Sequence, residues 1–191
     1  ATAIGIIRGD PILTYDLSAA RQRILRLGWV ANAEIERRIP DTIYIRLIER
    51  KPIAIWQRNG KFVLIDAKGA VISDSETEHH QNLTLIVGIG APLHASKLID
   101  MLRTHPTLMD RVSAAIRVAD RRWNLRFDNN VYVRLPEANP QDAWSRLAEL
   151  QTGYELLERD IVAIDLRIPE RLILRMRPGT ARPIHTPGEH T

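Results

Sequence analysis

Between Leu27 and Trp56 the chain alternates apolar and charged residues, interrupted once at Ile39-Pro40-Asp41. Ala33, Ile35, Arg37 and Ile39 alternate with Glu34, Glu36 and Arg38, and after Pro40-Asp41 the residues Ile43, Ile45 and Leu47 alternate with Tyr44, Arg46 and Ile48. Period two on both sides of a tight turn predicts a β-hairpin with one buried face. Ahead of it, Leu17, Ala20, Ile24 and Leu27 recur at helical spacing, while Arg21, Arg23 and Arg26 fall largely off that face. This predicts a short amphipathic helix, capped by Asp16, closed by Gly28 and packed against the hairpin. Thr2 to Arg8 reads as a helical remnant ending at Gly9-Asp10-Pro11.

From Ile53 the pattern becomes a succession of short strands: Ile53 to Gln57, Lys61 to Asp66 and Ala70 to Ser73, with Asn59-Gly60 and Lys68-Gly69 as turns. The polar run Asp74 to Asn82 predicts a loop, Leu83 to Val87 another strand, and Ala95 to Arg103 a helix stopped before Pro106. Further strands are predicted at Ala115 to Ala119, Arg122 to Phe127 and Val131 to Leu135, the last two joined by Asp128-Asn129-Asn130. Asn139-Pro140-Gln141-Asp142 starts a helix that runs to about Leu157: a cap, a proline at the first helical position, and a carboxylate near the positive end of the dipole. Strands at Ile161 to Arg167 and Arg171 to Arg177 flank a turn at Ile168-Pro169-Glu170, and the proline- and glycine-rich tail after them reads as disordered.

Composition narrows the function classes. With 191 residues, 45% of them hydrophobic, the chain is long enough for one large domain or two modest ones. The net charge of +4 is not concentrated: residues 1–52 hold 9 Lys/Arg against 6 Asp/Glu, and the remainder 18 against 17. Such interleaved charge reads as solvated surface rather than a nucleic-acid patch. The absence of cysteine excludes disulfides, thiol chemistry and cysteine-based metal sites. No apolar run approaches the ~20 residues of a membrane span, and the N-terminal residues lack the basic start of a signal peptide, so any anchor lies outside this chain.

No motif points to catalysis, a cofactor or a metal. His79 and His80 are adjacent, so in an extended segment they point oppositely, and no His-Glu-x-x-His spacing exists among the six histidines. Gly88-Ile89-Gly90 lacks the third glycine and the Gly-Lys-Ser/Thr ending of a phosphate loop, and reads as a strand-to-helix turn. No serine occupies a nucleophile elbow. Asp110, Asp120 and Asp128 are dispersed acids that only folding could pair. In Arg121-Arg122-Trp123 one arginine is expected to lie over the tryptophan.

The run Arg171 to Arg177 stands out. Leu172, Leu174 and Met176 share one face, while Arg171, Arg175 and Arg177 share the other with Ile173. As the last strand before the tail it is either a sheet edge with unpaired backbone groups, open to another strand, or an interior strand with outward arginines.

Gly9-Asp10-Pro11-Ile12, Leu27-Gly28-Trp29-Val30 with Ala33, Arg38 and Pro40, and above all Ile48-Glu49-Arg50-Lys51-Pro52-Ile53-Ala54-Ile55-Trp56-Gln57 resemble the FtsQ/DivIB family of bacterial cell-division proteins. Leu64-Ile65-Asp66 with Gly69, Arg121-Arg122-Trp123 and Ile164-Asp165-Leu166-Arg167 resemble later landmarks of that family in the same order. Two positions depart from it: Gly28 stands where the family usually has proline, and Asn130 where a glycine often completes a turn. The resemblance implies an α+β fold: a partial POTRA (polypeptide-transport-associated) module over 1–52, with helices on a β-hairpin and its first strand missing. A larger mixed-sheet domain with helices on it follows over 53–178, then a disordered tail over 179–191.

For function, the resemblance implies a non-catalytic scaffold of the divisome on the periplasmic side of the inner membrane, held by a transmembrane helix outside this chain. Its C-terminal strand would pair with a strand of FtsB, which is joined to FtsL, and the POTRA module would assist recruitment, with septal cell-wall synthesis as the outcome. Carried over by position, the partner-binding residues are Arg122, Arg167, Ile168, Leu172, Ile173, Leu174, Arg175 and Met176. A POTRA-containing outer-membrane assembly or secretion factor would also use strand addition, but no long alternating series suggests a barrel. A periplasmic hydrolase would need a cleft with paired carboxylates of shifted acidity; an open strand edge favours the scaffold.

Overall fold

The computed structural model describes residues 11–74 and 77–178. The expected helical remnant at Thr2 to Arg8 and the expected disordered tail lie outside the described residues. The chain divides into two compact units, one running up to Leu83 and including Pro92–Ser96, the other formed by Thr84–Ala91 and the chain from Lys97 onward.

In the first unit, helix α1 (Leu17–Leu25) begins where the Asp16 side chain accepts the Ala19 N–H at 3.0 Å, satisfying one of the orphan donors of the first turn. It buries Ala20 and Ile24. Strands β1 (Val30–Arg38) and β2 (Thr42–Glu49) pair antiparallel, with Ile35 opposite Ile45 and Glu34 opposite Arg46. Ile24, Val30 and Ala33 form a small core, with Leu25, Ile35 and Ile45 packed against it. The predicted unit of one helix on a hairpin is therefore present. Gly28, however, does not close the helix: Arg26 is the C-cap, and Gly28 has no positive φ.

The same unit continues with β3 (Pro52–Arg58), β4 (Lys61–Asp66) and β5 (Val71–Ser73), in the order β3-β4-β5 and antiparallel throughout. The Arg50-Lys51-Pro52 and Leu64-Ile65-Asp66 landmarks have a common physical reason. Asp66 is buried, its Oδ1 accepts the N–H groups of Lys68 and Ala70 at 2.9 Å each, and its Oδ2 accepts from the Arg50 guanidinium at 2.5 Å. Burial opposes its charge, but the Ala70 N–H, the Arg50 guanidinium and the Lys68 N–H outweigh it and hold the carboxyl below the usual carboxylate range. Gly69 completes this turn at φ 77°.

The second unit contains β6 (Leu85–Val87), β7 (Val112–Val118), β8 (Arg122–Phe127), β9 (Tyr132–Arg134), β10 (Ile161–Asp165) and β11 (Ile173–Met176), in the order β6-β7-β8-β9-β10-β11. β6 and β7 are parallel, β9 and β10 are parallel, and the other pairs are antiparallel. Parallel neighbours need a crossover, supplied between β9 and β10 by a helix, α4 (Pro140–Tyr154). Registers align Ile86, Ala115, Leu125, Val133, Ile164 and Leu174 in one row. All but the last of these are fully buried, which identifies the core face of this unit. The opposite face carries Val87, Ile116, Asn124, Arg134, Asp165 and Ile173 in register.

Several local expectations change. Helix α2 (Ala91–Leu102) starts four residues before the expected Ala95, because Pro92 falls in its first turn, where the missing N–H costs nothing. A one-turn helix, α3 (Pro106–Met109), was not foreseen. Asn139 precedes α4 as expected, but at φ 50° and without a side-chain capping bond, so Pro140 and Asp142 rather than the asparagine side chain favour that start. The arginine over Trp123 is neither Arg121 nor Arg122 but Arg117, its cross-strand partner, 5.2 Å from the ring centroid. Asn130 takes φ 64°, the glycine-like turn conformation.

Candidate functional site

The edge question raised by Arg171 to Arg177 has a definite answer: β11 stands last in its strand order and pairs with β10 alone. Asp165 faces Ile173, Ile164 faces Leu174 and Ala163 faces Arg175, so the ladder fixes one side of β11 and leaves the other without a strand among the described residues. In an antiparallel pair alternate residues turn their N–H and C=O groups away from the partner, which gives β11 a free row of donors and acceptors.

The side chains sort by face. Leu172 and Leu174 are half-buried, Leu174 continuing the apolar row of Ile164 and Val133. Ile173 and Arg175 are exposed, Ile173 at 50%. Met176 departs from the expected apolar face: it is 41% exposed and sits opposite Ile161 across an irregularity in the ladder. Ile168, in the turn before β11, is exposed as well.

The arginines divide into held and free. Arg167 grips Asp165 with Nε at 2.9 and 3.0 Å and a terminal nitrogen at 2.6 Å, while Arg134 approaches the same carboxylate at 3.5 Å. The Arg167 side-chain bonds lead the effects that hold the Asp165 carboxyl below its ordinary range, burial opposing them. Arg171 and Arg175 form no ion pair with a described residue. Arg122 is half-buried with its Nε out of solvent and without a hydrogen-bond partner among the described residues.

The structure does not bring Arg122 to the edge, since β9 and β10 stand between β8 and β11. It does bring Arg122 to the same end of the sheet. Asn124, Arg134, Asp165 and Ile173 are successive partners across four strands. Arg122 precedes Asn124 by two residues, Arg167 follows Asp165 by two, and Arg171 precedes Ile173 by two. Arg122 and Arg167 therefore stand about two strand spacings, ~10 Å, apart.

Two features escaped sequence reasoning. Arg146 of α4 donates to the Pro169 carbonyl, bracing the turn that leads into β11. Beside it, Pro136, Ala143, Leu166 and Pro169 line an apolar cleft of about 180 Å³. Nothing in the local pattern marks Arg146, because its partner is a backbone oxygen 23 residues away.

Two of the dispersed acids are paired with arginines. Asp128 meets Arg111 at 3.3 Å and Asp120 meets Arg117 at 3.6 Å. The two aspartates of shifted acidity, Asp66 and Asp165, both move down, opposite to what a general acid requires. His105 lies 3.3 Å from Ser145, with no carboxylate bonded to the ring among the described residues. Among the described residues no three metal-ligating side chains gather, and no helix is long and apolar enough to cross a membrane.

Comparison with known proteins places this geometry in context. Residues 54–167 match the family model for the C-terminal part of the cell division protein FtsQ/DivIB, and residues 1–50 the POTRA domain of FtsQ type. The chain is 35% identical over 175 residues to the cell division protein FtsQ of Caulobacter vibrioides, covering 92% of this chain and 58% of that protein. It is 39% identical over 155 residues to FtsQ of Zymomonas mobilis, covering 81% of this chain and 49% of that protein. With FtsQ of Rhizobium radiobacter identity is 34% over 178 residues, covering 93% and 85%. A solved structure of the major extracytoplasmic domain of DivIB from Geobacillus stearothermophilus matches at 12% identity with a TM-score of 0.39, covering 57% of this chain and 97% of that one. The chain thus spans roughly half to three-fifths of the Zymomonas and Caulobacter proteins.

Proposed function

The chain belongs to the FtsQ/DivIB family of cell division proteins, and we propose that it acts as a non-catalytic scaffold of the divisome, presenting β11 to an extended strand of FtsB held together with FtsL. The observation that carries this reading is the position of β11 at the end of its strand order with one neighbour. An incoming strand gains main-chain hydrogen bonds along the free side, and alternate side chains then decide which strand is accepted. Ile173 and Arg175 line up on the exposed face, so the guest meets an apolar contact flanked by uncompensated positive charge. Arg171 and Arg175 favour a partner carrying carboxylates, raising the encounter rate more than the final affinity. The scaffold works on the periplasmic side of the inner membrane, its transmembrane anchor lying outside this chain, in the service of septal cell-wall synthesis.

A rigid presenter suits this task. The half-buried Leu172 and Leu174 anchor β11 to the core row, and the Asp165–Arg167 bonds fix the end of β10. The guest therefore meets an edge already ordered, which lowers the entropy lost on association. Hydrogen exchange of this chain with and without an FtsB peptide tests the reading: Arg171 to Arg177 should gain protection. Unchanged exchange there, under conditions where the peptide binds, would overturn it.

A further inference from the structure

A second surface in the first unit points beyond β11. The β3–β4 hairpin turns at Asn59-Gly60, whose φ values of 48° and 78° are the left-handed pair a two-residue turn needs. The register then sets Arg58 directly opposite Lys61. Like charges facing each other across paired strands are destabilising. The β1–β2 hairpin of the same unit avoids this arrangement, for there Glu34 faces Arg46 with 3.7 Å between charged atoms.

Arg26, the exposed C-cap of α1, lines with Arg58 and Lys61 an open cleft of about 640 Å³, whose accessible apolar surface is Val71, with the buried Val63 and Ile72 beneath. Arg26 and Lys61 make no ion pair with a described residue, and Arg58 lies 5.4 Å over the Trp56 ring. One carboxylate, Asp74, stands among the lining residues against these three cations. The outer edge of β5 is closed here, because Gly28 lies against the Ile72 carbonyl. A guest must therefore enter by its side chains rather than as an added strand.

We propose that this cleft docks a carboxylate-rich peptide segment of another protein, its acids meeting Arg26, Arg58 and Lys61 and an apolar side chain resting on Val71. The concave shape and the apolar Val71 favour a peptide over a phosphate-dense membrane surface, which would ask for a flat or protruding basic patch. The proposal is independent of strand addition at β11.

The test is fluorescence anisotropy of a short fluorescein-labelled peptide alternating glutamate and leucine, titrated with this chain at low salt. Binding is expected, weakening about tenfold in Arg26→Glu/Lys61→Glu and falling with added salt, while Leu174→Pro leaves it unchanged. Should the charge-reversed protein fail to fold by circular dichroism, Arg26→Gln/Lys61→Gln serves, with a smaller loss expected. The proposal is overturned if the wild-type chain ignores the peptide, if both double variants bind it equally well, or if binding is seen only to phosphatidylglycerol vesicles.

Discussion

Strands β5 and β11 each end a run of paired strands, yet one edge is closed and the other is open. At β5 the chain between α1 and β1 comes so near that a Cβ placed on Gly28 would stand 1.8 Å from the Ile72 carbonyl oxygen. A carbonyl lies in the plane of its sheet, and Gly28 does not belong to β4, so the contact falls on the side of β5 facing away from its partner. At β11 no described strand pairs on the outer side. Proteins normally blunt their edges with short strands, covering loops or charges. Both strands are short, three residues at β5 and four at β11; β5 is also covered, whereas β11 carries arginines, which discourage self-pairing without blocking an acidic guest. One open edge beside a closed one is what the proposed strand addition at β11 requires.

The sharpest way to break this contrast is Gly28→Val. The new side chain cannot coexist with the Ile72 carbonyl, so the cover must lift, at a cost of about 3 kcal/mol or more in unfolding free energy. Urea denaturation measures it; an unchanged midpoint would mean the cover is incidental. Next comes Arg50→Ala, which leaves the buried Asp66 carboxylate without its cation and loosens the β4–β5 turn. The expected loss is about 2–3 kcal/mol, with FtsB capture at β11 retained.

At the open edge the expected effects shift from stability to binding. The Arg177 N–H donates to the Asp160 carbonyl, so by alternation the Leu174 N–H turns away from β10. Leu174→Pro should reduce FtsB capture by about tenfold or more, and a variant with a native circular dichroism spectrum that captures FtsB normally would refute strand addition there. Acid separates the two regions less strongly. Asp66 and Asp165 both have folded pKa values below their unfolded ones. Each thus adds stability that is complete above the unfolded value near 4 and disappears as pH falls through the folded one. Denaturant midpoints should hold steady from about pH 5 to 8 and drop below about pH 4, and Asp66→Asn should be weaker at neutral pH but lose less on acidification. The smallest effect is expected for Arg171→Ala with Arg175→Ala: a few-fold slower association with FtsB at low salt, vanishing at high salt.

Much of the local structure was legible. Asn59-Gly60 announced a hairpin turn and formed one, Asp16 announced a helix cap and makes its bond, and the alternation of Leu172 and Leu174 with Ile173 and Arg175 matches their burial. These features depend on φ preferences and side-chain periodicity within a few residues. The misreadings share the opposite property. Gly28 read as a helix closer, but its reason is a carbonyl 44 positions further along; Arg117, not a neighbour in sequence, covers Trp123 because the β7–β8 register puts it there.

By itself, then, the sequence determined which segments are strands, where they turn, which side of most of them is apolar, and, through its landmarks, the family. Whether Arg171 to Arg177 lies inside a sheet or at its rim was left even by the sequence, and only the tertiary structure decided it. A strand's side chains report how many of its faces are buried, but not how many neighbours its backbone has. That number is set by long-range pairing: β9 and β10 are joined through α4, β11 folds back on β10, and no further described strand arrives.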